Sequence, residues 1–242
     1  MRVTNYLLGY KNLKIIQDNE MFNFSLDSVL LPNFVTLNKN ITKILDIGSG
    51  NAPIPLILST KTNAKITGVE IQKEVYNMAL DSIELNNKQE QIDILNKDIN
   101  DYYREIETDT YDVITCNPPF FKYVETSNIN KNDYKTIARH EVKLNLKELF
   151  TIAKKLLKNN GVIAIVHRPE RLVDLFYILR QNKLEPKILR VVQPKINKKP
   201  NLILVKAIKH GNSFLDVKEP ITVYNADGSY TDEIYKIYGR ER

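Results

Sequence analysis

The run Lys43-Ile44-Leu45-Asp46-Ile47-Gly48-Ser49-Gly50-Asn51-Ala52-Pro53 decides the fold. Its first half is short and apolar, as a strand buried on both faces must be. Its second half supplies two glycines before a helical pattern that starts at Pro53. Glycines at that point let the backbone turn tightly and approach a ligand at the carboxyl edge of a strand, where doubly wound sheets bind nucleotides. The third glycine of the dinucleotide fingerprint falls at Pro53, which has no N–H and carries a ring, so a nicotinamide dinucleotide is discounted. Asp46, immediately before the turn region, would repel a phosphate and favours a cation.

Outward from this run, short β-branched stretches alternate with helical patterns, the signature of a parallel sheet covered by helices. Strands are expected at Lys43 to Ile47, Lys65 to Glu70, Gln91 to Leu95, Asp112 to Cys116, Val162 to His167, Lys187 to Val192 and Leu202 to Ile208. Helices are expected at Ile71 to Asn86, at Leu146 to Leu157 with Asn160 and Gly161 as its stop, and from Pro169 through Leu179. The loop Pro194 to Asn201 is too short for a crossover, so the last two strands are expected to form an antiparallel hairpin. Upstream, Leu13 to Ile16 and Met21 to Phe24 flank a polar turn and suggest a small hairpin before a helix from Leu26 to Leu37. The expected fold is therefore α/β: a seven-stranded, mostly parallel, Rossmann-like sheet with helices on both faces, residues 41–242, and a small N-terminal cap, residues 1–40.

Composition narrows the class. Apolar residues make up 43% and charged residues 26% of 242, enough for a large core. Runs such as Val162 to Val166 fall far short of the roughly 20 residues that cross a bilayer, so no membrane span is expected. The first twenty residues lack an apolar stretch with a cleavage site, and the single cysteine, Cys116, has no internal partner; a cytoplasmic protein is expected. No metal site is read.

Three acids stand at or just beyond strand ends. Asp46 suits the amino or sulfonium group of S-adenosylmethionine, Glu70 a pair of ribose hydroxyls, and Asp98 the adenine amino group. With Gly48 and Gly50, with Ile71 and Ile99 following two of these acids, and with Asn117 further on, they form the expected cofactor set. Strand four then runs into Asn117-Pro118-Pro119-Phe120. Consecutive prolines stiffen this corner. The Asn117 side-chain oxygen and the Pro118 carbonyl can each accept a hydrogen from a planar amine, whose delocalised lone pair is otherwise a poor nucleophile. Phe120 can stack on a base, with Phe121 or Tyr123 beside it. Asn117, Pro118, Pro119 and Phe120 are thus the expected catalytic residues.

On these residues the chain resembles the class I S-adenosylmethionine-dependent methyltransferases, in which Asn-Pro-Pro-aromatic marks transfer to an amide or exocyclic amino nitrogen. Within them it is most similar to the bacterial tRNA adenine-N6 methyltransferases that act on adenosine 37 of valine tRNA. The likeness includes Phe22, Phe24, Ser25, Asp27 and Leu30, then Ala138, Arg139, His140 and Glu141, then His167 to Arg171, and Gly228 to Thr231 with Ile237 and Tyr238. Gly48-Ser49-Gly50 stands where that family usually has Gly-Thr-Gly. The resemblance implies S-adenosylmethionine as cofactor, the anticodon loop of a tRNA as substrate, and Arg139, His140 and Arg168 on the substrate side.

Charge agrees with a polyanion partner. Lys and Arg number 35 against 29 Asp and Glu, a net of +6. Between Lys183 and Lys209 there are eight basic residues and one acid, Glu185, a local net of +7. Lys195, Lys198 and Lys199 are the expected RNA contacts there. Lys122 to Asp133, rich in Asn, Ser and Lys, reads as a flap that orders over RNA. Three other readings remain open: guanine N2 of ribosomal RNA, a glutamine amide of a release factor, and a non-catalytic RNA-binding protein on the same fold.

Overall fold

The structure is a computed structural model that describes residues 2–7, 10, 12–18, 25–118 and 144–239. In chain order the described elements begin with β1 (Arg2–Tyr6), β2 (Lys14–Asp18), α1 (Leu26–Phe34), β3 (Lys43–Ile47), α2 (Pro53–Leu58), β4 (Lys65–Val69), α3 (Lys73–Leu85), β5 (Ile92–Leu95) and α4 (Ile99–Glu105). They continue with β6 (Tyr111–Cys116), α5 (Leu146–Leu156), β7 (Leu157–His167), a single 3₁₀ turn Pro169–Arg171, α6 (Leu172–Gln181), β8 (Leu184–Gln193), β9 (Leu202–Lys209), β10 (Asp216–Thr222) and α7 (Asp232–Ile237).

Among the described residues, eight strands form one sheet in the order β10-β8-β9-β7-β6-β3-β4-β5. All neighbours pair parallel except β9, which runs against both β7 and β8. The expected antiparallel hairpin between the last two strands of the core is therefore present. Successive residues of a strand point to opposite faces, and the core divides accordingly. Ile44, Ile66 and Val113 pack with α1, α2 and α3 on one face. Leu45, Ile47 and Ile114 pack with α4, α5 and α6 on the other. This double burial is why β3 reads as a continuous apolar run rather than an alternation.

Three expectations are corrected. The sheet has eight strands, not seven: β10 adds to the outer edge of β8, and its Pro220 and exposed charges are the marks of an edge strand, which hid it from a search for apolar alternation. The N-terminal strand Lys14–Asp18 pairs with Arg2–Tyr6, an almost wholly exposed strand whose polar sequence gave no signal; Met21 to Phe24 lies outside the described residues. Asn160 and Gly161 do not stop α5. That helix, closed at its start by a capping box between Asn145 and Glu148, ends at Leu156, and the chain enters β7 at once, with Asn160 in the left-handed region inside an irregular stretch of the strand. Among the described residues no helix is long and apolar enough to cross a membrane.

The N-terminal hairpin is fastened to α3 and to the glycine turn. The Ile16 N–H donates to Ser82 Oγ of α3 at 2.9 Å, and Asn51 Nδ2 of the glycine turn donates to the Ile16 carbonyl at 2.8 Å.

Candidate active site

From β3 the chain moves outward to β4 on one side, while β6 lies on the other. The crevice outside the carboxyl ends of these strands is the switch point at which open α/β sheets bind ligands. Four of the expected residues converge there. Gly48 and Gly50 turn the chain at φ +69° and +56°, conformations that a side chain strains, and a Cβ added at either would meet nothing within 4 Å. The turn is pinned because Gly48 N and Ser49 N both donate to the Val69 carbonyl, at 2.9 and 3.1 Å. α2 opens with Pro53 and carries Pro55 two residues on, so its start offers few N–H groups to a pyrophosphate.

Glu70, buried at the end of β4, ties this turn to the next. Its carboxylate accepts from Gly50 N at 2.9 Å and from Gln72 N at 2.8 Å. Each oxygen keeps a second lone pair for a ligand hydroxyl. Burial pushes its pKa up, against the pull of the backbone N–H groups of Gln72, Gly50 and Ile71. Asp46 is fully buried and lies in register with Thr115 of β6 on one side and Gly68 of β4 on the other. The Thr115 hydroxyl donates to Asp46 Oδ1 at 2.5 Å, whereas Oδ2 has no partner. Burial pushes the Asp46 carboxyl up to about 7; the Thr115 hydrogen bond opposes this and the Glu70 charge adds to it. Enclosed in this way, Asp46 presents no exposed oxygen to the crevice.

The other expected residues divide. Asp98 caps α4, accepting from Asn100 N at 2.8 Å. Ile99 is buried in the core, while Ile71 is left 38% exposed beside Glu70, an apolar surface at the rim of the crevice. Cys116 is buried, and burial with the Asp46 charge raises its thiol pKa, so it is a core residue and no nucleophile. Pro119, Phe120, Arg139 and His140, with Phe121, Tyr123 and the segment 122–133, lie outside the described residues.

Asn117 follows Cys116, whose register partner is Ile47, and so stands level with the glycine turn on the neighbouring strand. Its Nδ2 donates to Asp27 Oδ2 at 2.9 Å and to Ser28 Oγ at 3.3 Å. Both partners are buried in the first turn of α1. Among the described residues nothing donates to Asn117 Oδ1. The sequence does not single out Asp27, Ser28 or Thr115 as site residues: a polar pair at the start of an apolar helix looks like capping, and a threonine inside a strand looks like β propensity.

Arg168, at the carboxyl end of β7, donates to the Asn201 carbonyl at 3.0 Å and so fastens the β8–β9 loop to that end of β7. That loop carries Lys195, whose Nζ reaches the Ala226 carbonyl at 3.1 Å, and the exposed Lys198 and Lys199. The basic segment is not one patch, however. Because β8 and β9 run in opposite directions, Lys183 and Lys209 lie at the far edge of the sheet, where Lys209 is buried against Asp109 at 2.7 Å. Arg190 pairs with Glu233 at 2.6 Å. Of this segment, Lys195, Lys198 and Lys199 lie on the sheet edge at which the crevice opens, with β7 between their strands and β6.

The residues present fit S-adenosylmethionine: an open glycine turn, two buried acids suited to a cation and to hydroxyls, and an unpartnered Ser49 Oγ in the turn itself. Among the described residues no cluster of His, Cys, Asp and Glu can hold a metal ion.

Comparison with known proteins agrees with this geometry. A tRNA1(Val) (adenine(37)-N6)-methyltransferase of Flavobacterium psychrophilum is 31% identical over 161 residues, 66% of this chain and 67% of that one. The Aeromonas hydrophila protein of the same name is 24% identical over 230 residues, 94% of this chain and 93% of its own. Among solved structures, a predicted O-methyltransferase, Atu636 of Agrobacterium tumefaciens, superposes with a TM-score of 0.71 at 15% identity, covering 90% of this chain and 98% of that one. Geranyl diphosphate C-methyltransferase of Streptomyces coelicolor, in complex with Mg2+, geranyl diphosphate and S-adenosyl-L-homocysteine, gives 0.57 at 9% identity over 75% and 76% of the two chains. These two likenesses establish the fold. The model of the methyltransferase small domain matches residues 24–175, and on that match the chain belongs to the methyltransferase small domain family of S-adenosylmethionine-dependent methyltransferases.

Proposed function

We propose that the protein transfers a methyl group from S-adenosylmethionine to the N6 amino group of an adenine in tRNA, at adenosine 37 beside the anticodon. The observation that carries this reading is the placement of Asn117 level with the glycine turn, so that an acceptor for an amine stands beside Asp46 and Glu70 in one crevice. The relatives' names support the choice of RNA and base.

When bound, S-adenosylmethionine supplies an electrophilic methyl group on a sulfonium. Asp46 and Glu70 would hold it, the first by its field and the second through ribose hydroxyls. Asn117 Oδ1 and the Pro118 carbonyl accept the two hydrogens of the adenine amine and turn its lone pair out of the ring plane. No base is needed beforehand, because the amine is neutral and positive charge appears on it only as the methyl group arrives; one hydrogen then leaves as a proton to solvent. Lys195, Lys198 and Lys199 face the phosphates of the anticodon arm. A loop adenine is already unpaired and enters such a pocket at lower cost than a paired base.

The test is to incubate the protein with methyl-labelled S-adenosylmethionine and separately with unmodified tRNA, ribosomal RNA and release factor, then digest and identify the product. N6-methyladenosine from tRNA is expected, and Asn117→Ala should slow its formation by about 10² to 10³, the scale for losing one preorganised polar contact. Label in guanine or glutamine, or full activity in Asn117→Ala, would overturn the reading.

A further inference from the structure

We propose that Asp27 and Ser28, on the first turn of α1, are positioning residues for methyl transfer: they hold the Asn117 amide in the one rotation that presents its oxygen to the substrate amine. This rests on the reading above that Asn117 accepts from that amine.

An asparagine amide has two ends of nearly equal size, and half a turn about its last bond exchanges an acceptor for a pair of donors. Only the oxygen end can grip an N–H. The amide end would set donor against donor. Nothing within Asn117 selects between the two rotations, so the selection comes from its surroundings.

Asp27 makes that selection. Its Oδ2 receives Asn117 Nδ2 at 2.9 Å, with Ser28 Oγ at 3.3 Å from the same nitrogen. Asp27 and Ser28 are 3% and 4% exposed. The flipped amide would bring its oxygen against a buried carboxylate oxygen, two acceptors with no hydrogen between them, which a low-dielectric setting penalises heavily. Asp27 is itself held: the Ser25 hydroxyl donates to its other oxygen, and Ser28 N donates to the Ser25 carbonyl at 3.1 Å. The pair also does more than orient. A carboxylate that takes the amide hydrogens pushes electron density toward the amide oxygen and makes it the stronger acceptor.

Asp27→Asn keeps the size of the side chain, and Ser28→Ala removes the second partner with little change of shape. Kinetics of each variant with S-adenosylmethionine and unmodified tRNA should show kcat reduced about 10- to 10²-fold for Asp27→Asn, the scale of a hydrogen bond to a charged group. Ser28→Ala should lose a few-fold, on the scale of a neutral hydrogen bond. KM for tRNA and the Kd of S-adenosylhomocysteine should not change. In an Asn117→Ala background, Asp27→Asn should add nothing further, because the two substitutions remove one interaction. Independently of any reaction, the side-chain NH₂ resonances of Asn117, assigned by their loss in Asn117→Ala, should shift in Asp27→Asn.

A merely structural role for Asp27 predicts the opposite: the same fall in kcat in both backgrounds, or unmoved Asn117 resonances. Either result overturns the proposal, as does an unchanged kcat. If the resonances and the kinetic coupling behave as expected but the methylated unit is not adenine, the positioning role stands and the choice of substrate falls.

Discussion

Replacing Asp46 by asparagine should make the protein more stable at pH 8 and no more stable at pH 4. The carboxyl is fully buried, one oxygen has only the Thr115 hydroxyl and the other has no partner, and burial raises its pKa to about 7. Unfolded, the same group titrates near 4. Between these values the folded chain holds a proton that the unfolded chain has released, so this group's contribution to stability is fully present below about pH 4 and is lost as the pH rises through about 7. A roughly thousandfold difference in proton affinity corresponds to a ceiling of roughly 4 kcal/mol, at about 1.4 kcal/mol per factor of ten. Asparagine keeps an oxygen for Thr115 and never ionises, so it stands in for the protonated acid. Urea unfolding of both proteins at pH 4.5 and pH 8 reads the effect directly. Titrating groups away from Asp46 are common to the two and cancel in the difference; Glu70 and Cys116, which interact with its charge, are not among them. A gap that opens by about 2 kcal/mol or more toward pH 8 supports the argument. Parallel stability curves, with the gap constant within about 0.5 kcal/mol, would refute it and show that the folded site already solvates the charge.

Glu70→Gln should weaken binding of S-adenosylhomocysteine about 10- to 10²-fold by isothermal titration, since one of the N–H groups of Gly50 and Gln72 would then face an NH₂; unchanged affinity would remove Glu70 from the site. Gly68→Ala places a methyl group 2.4 Å from Ile94 Cδ1 and 2.8 Å from Ser49 Oγ, and should cost about 1 to 3 kcal/mol in urea unfolding while displacing the glycine turn. A neutral effect would mean that Ile94 alone gives way. Changing Lys195, Lys198 and Lys199 to glutamine should weaken tRNA binding and flatten its dependence on salt, whereas changing Lys183 and Lys187 should not, because these lie toward the far end of β8. Equal salt slopes for all of these proteins would take the β8–β9 loop out of the RNA surface.

How far the sequence could be read follows from where each signal is stored. β3 is found at the residues expected, because a strand buried on both faces must be apolar throughout and must end in a turn that only glycine makes easily. Asp46, Glu70 and Asn117 were legible for the same reason: each is fixed by its count from a strand end, and strand ends converge in a parallel sheet. Asp27 was not, since it meets Asn117 across ninety residues of chain, through a packing angle between α1 and β6 that no local pattern encodes. The edge strands were hidden because an edge needs charge and proline more than alternation, as in β10. The charge count misled in a different way. A run of lysines is contiguous in the chain, but two antiparallel strands bring both of its ends, Lys183 and Lys209, to one edge of the sheet and leave its middle, Lys195 to Lys199, at the opposite edge.

The reversal of β9 has an evolutionary corollary. Because the segment between β8 and β9 is the tip of a hairpin and not a crossover, its length and residues can change without altering the register of any strand or the handedness of any connection. The candidate site sits on different strands, β3, β4 and β6, and would not register such a change. If this tip grips nucleic acid as proposed, descendants of the fold can exchange the RNA they bind by rewriting one exposed turn, while the crevice passes down untouched.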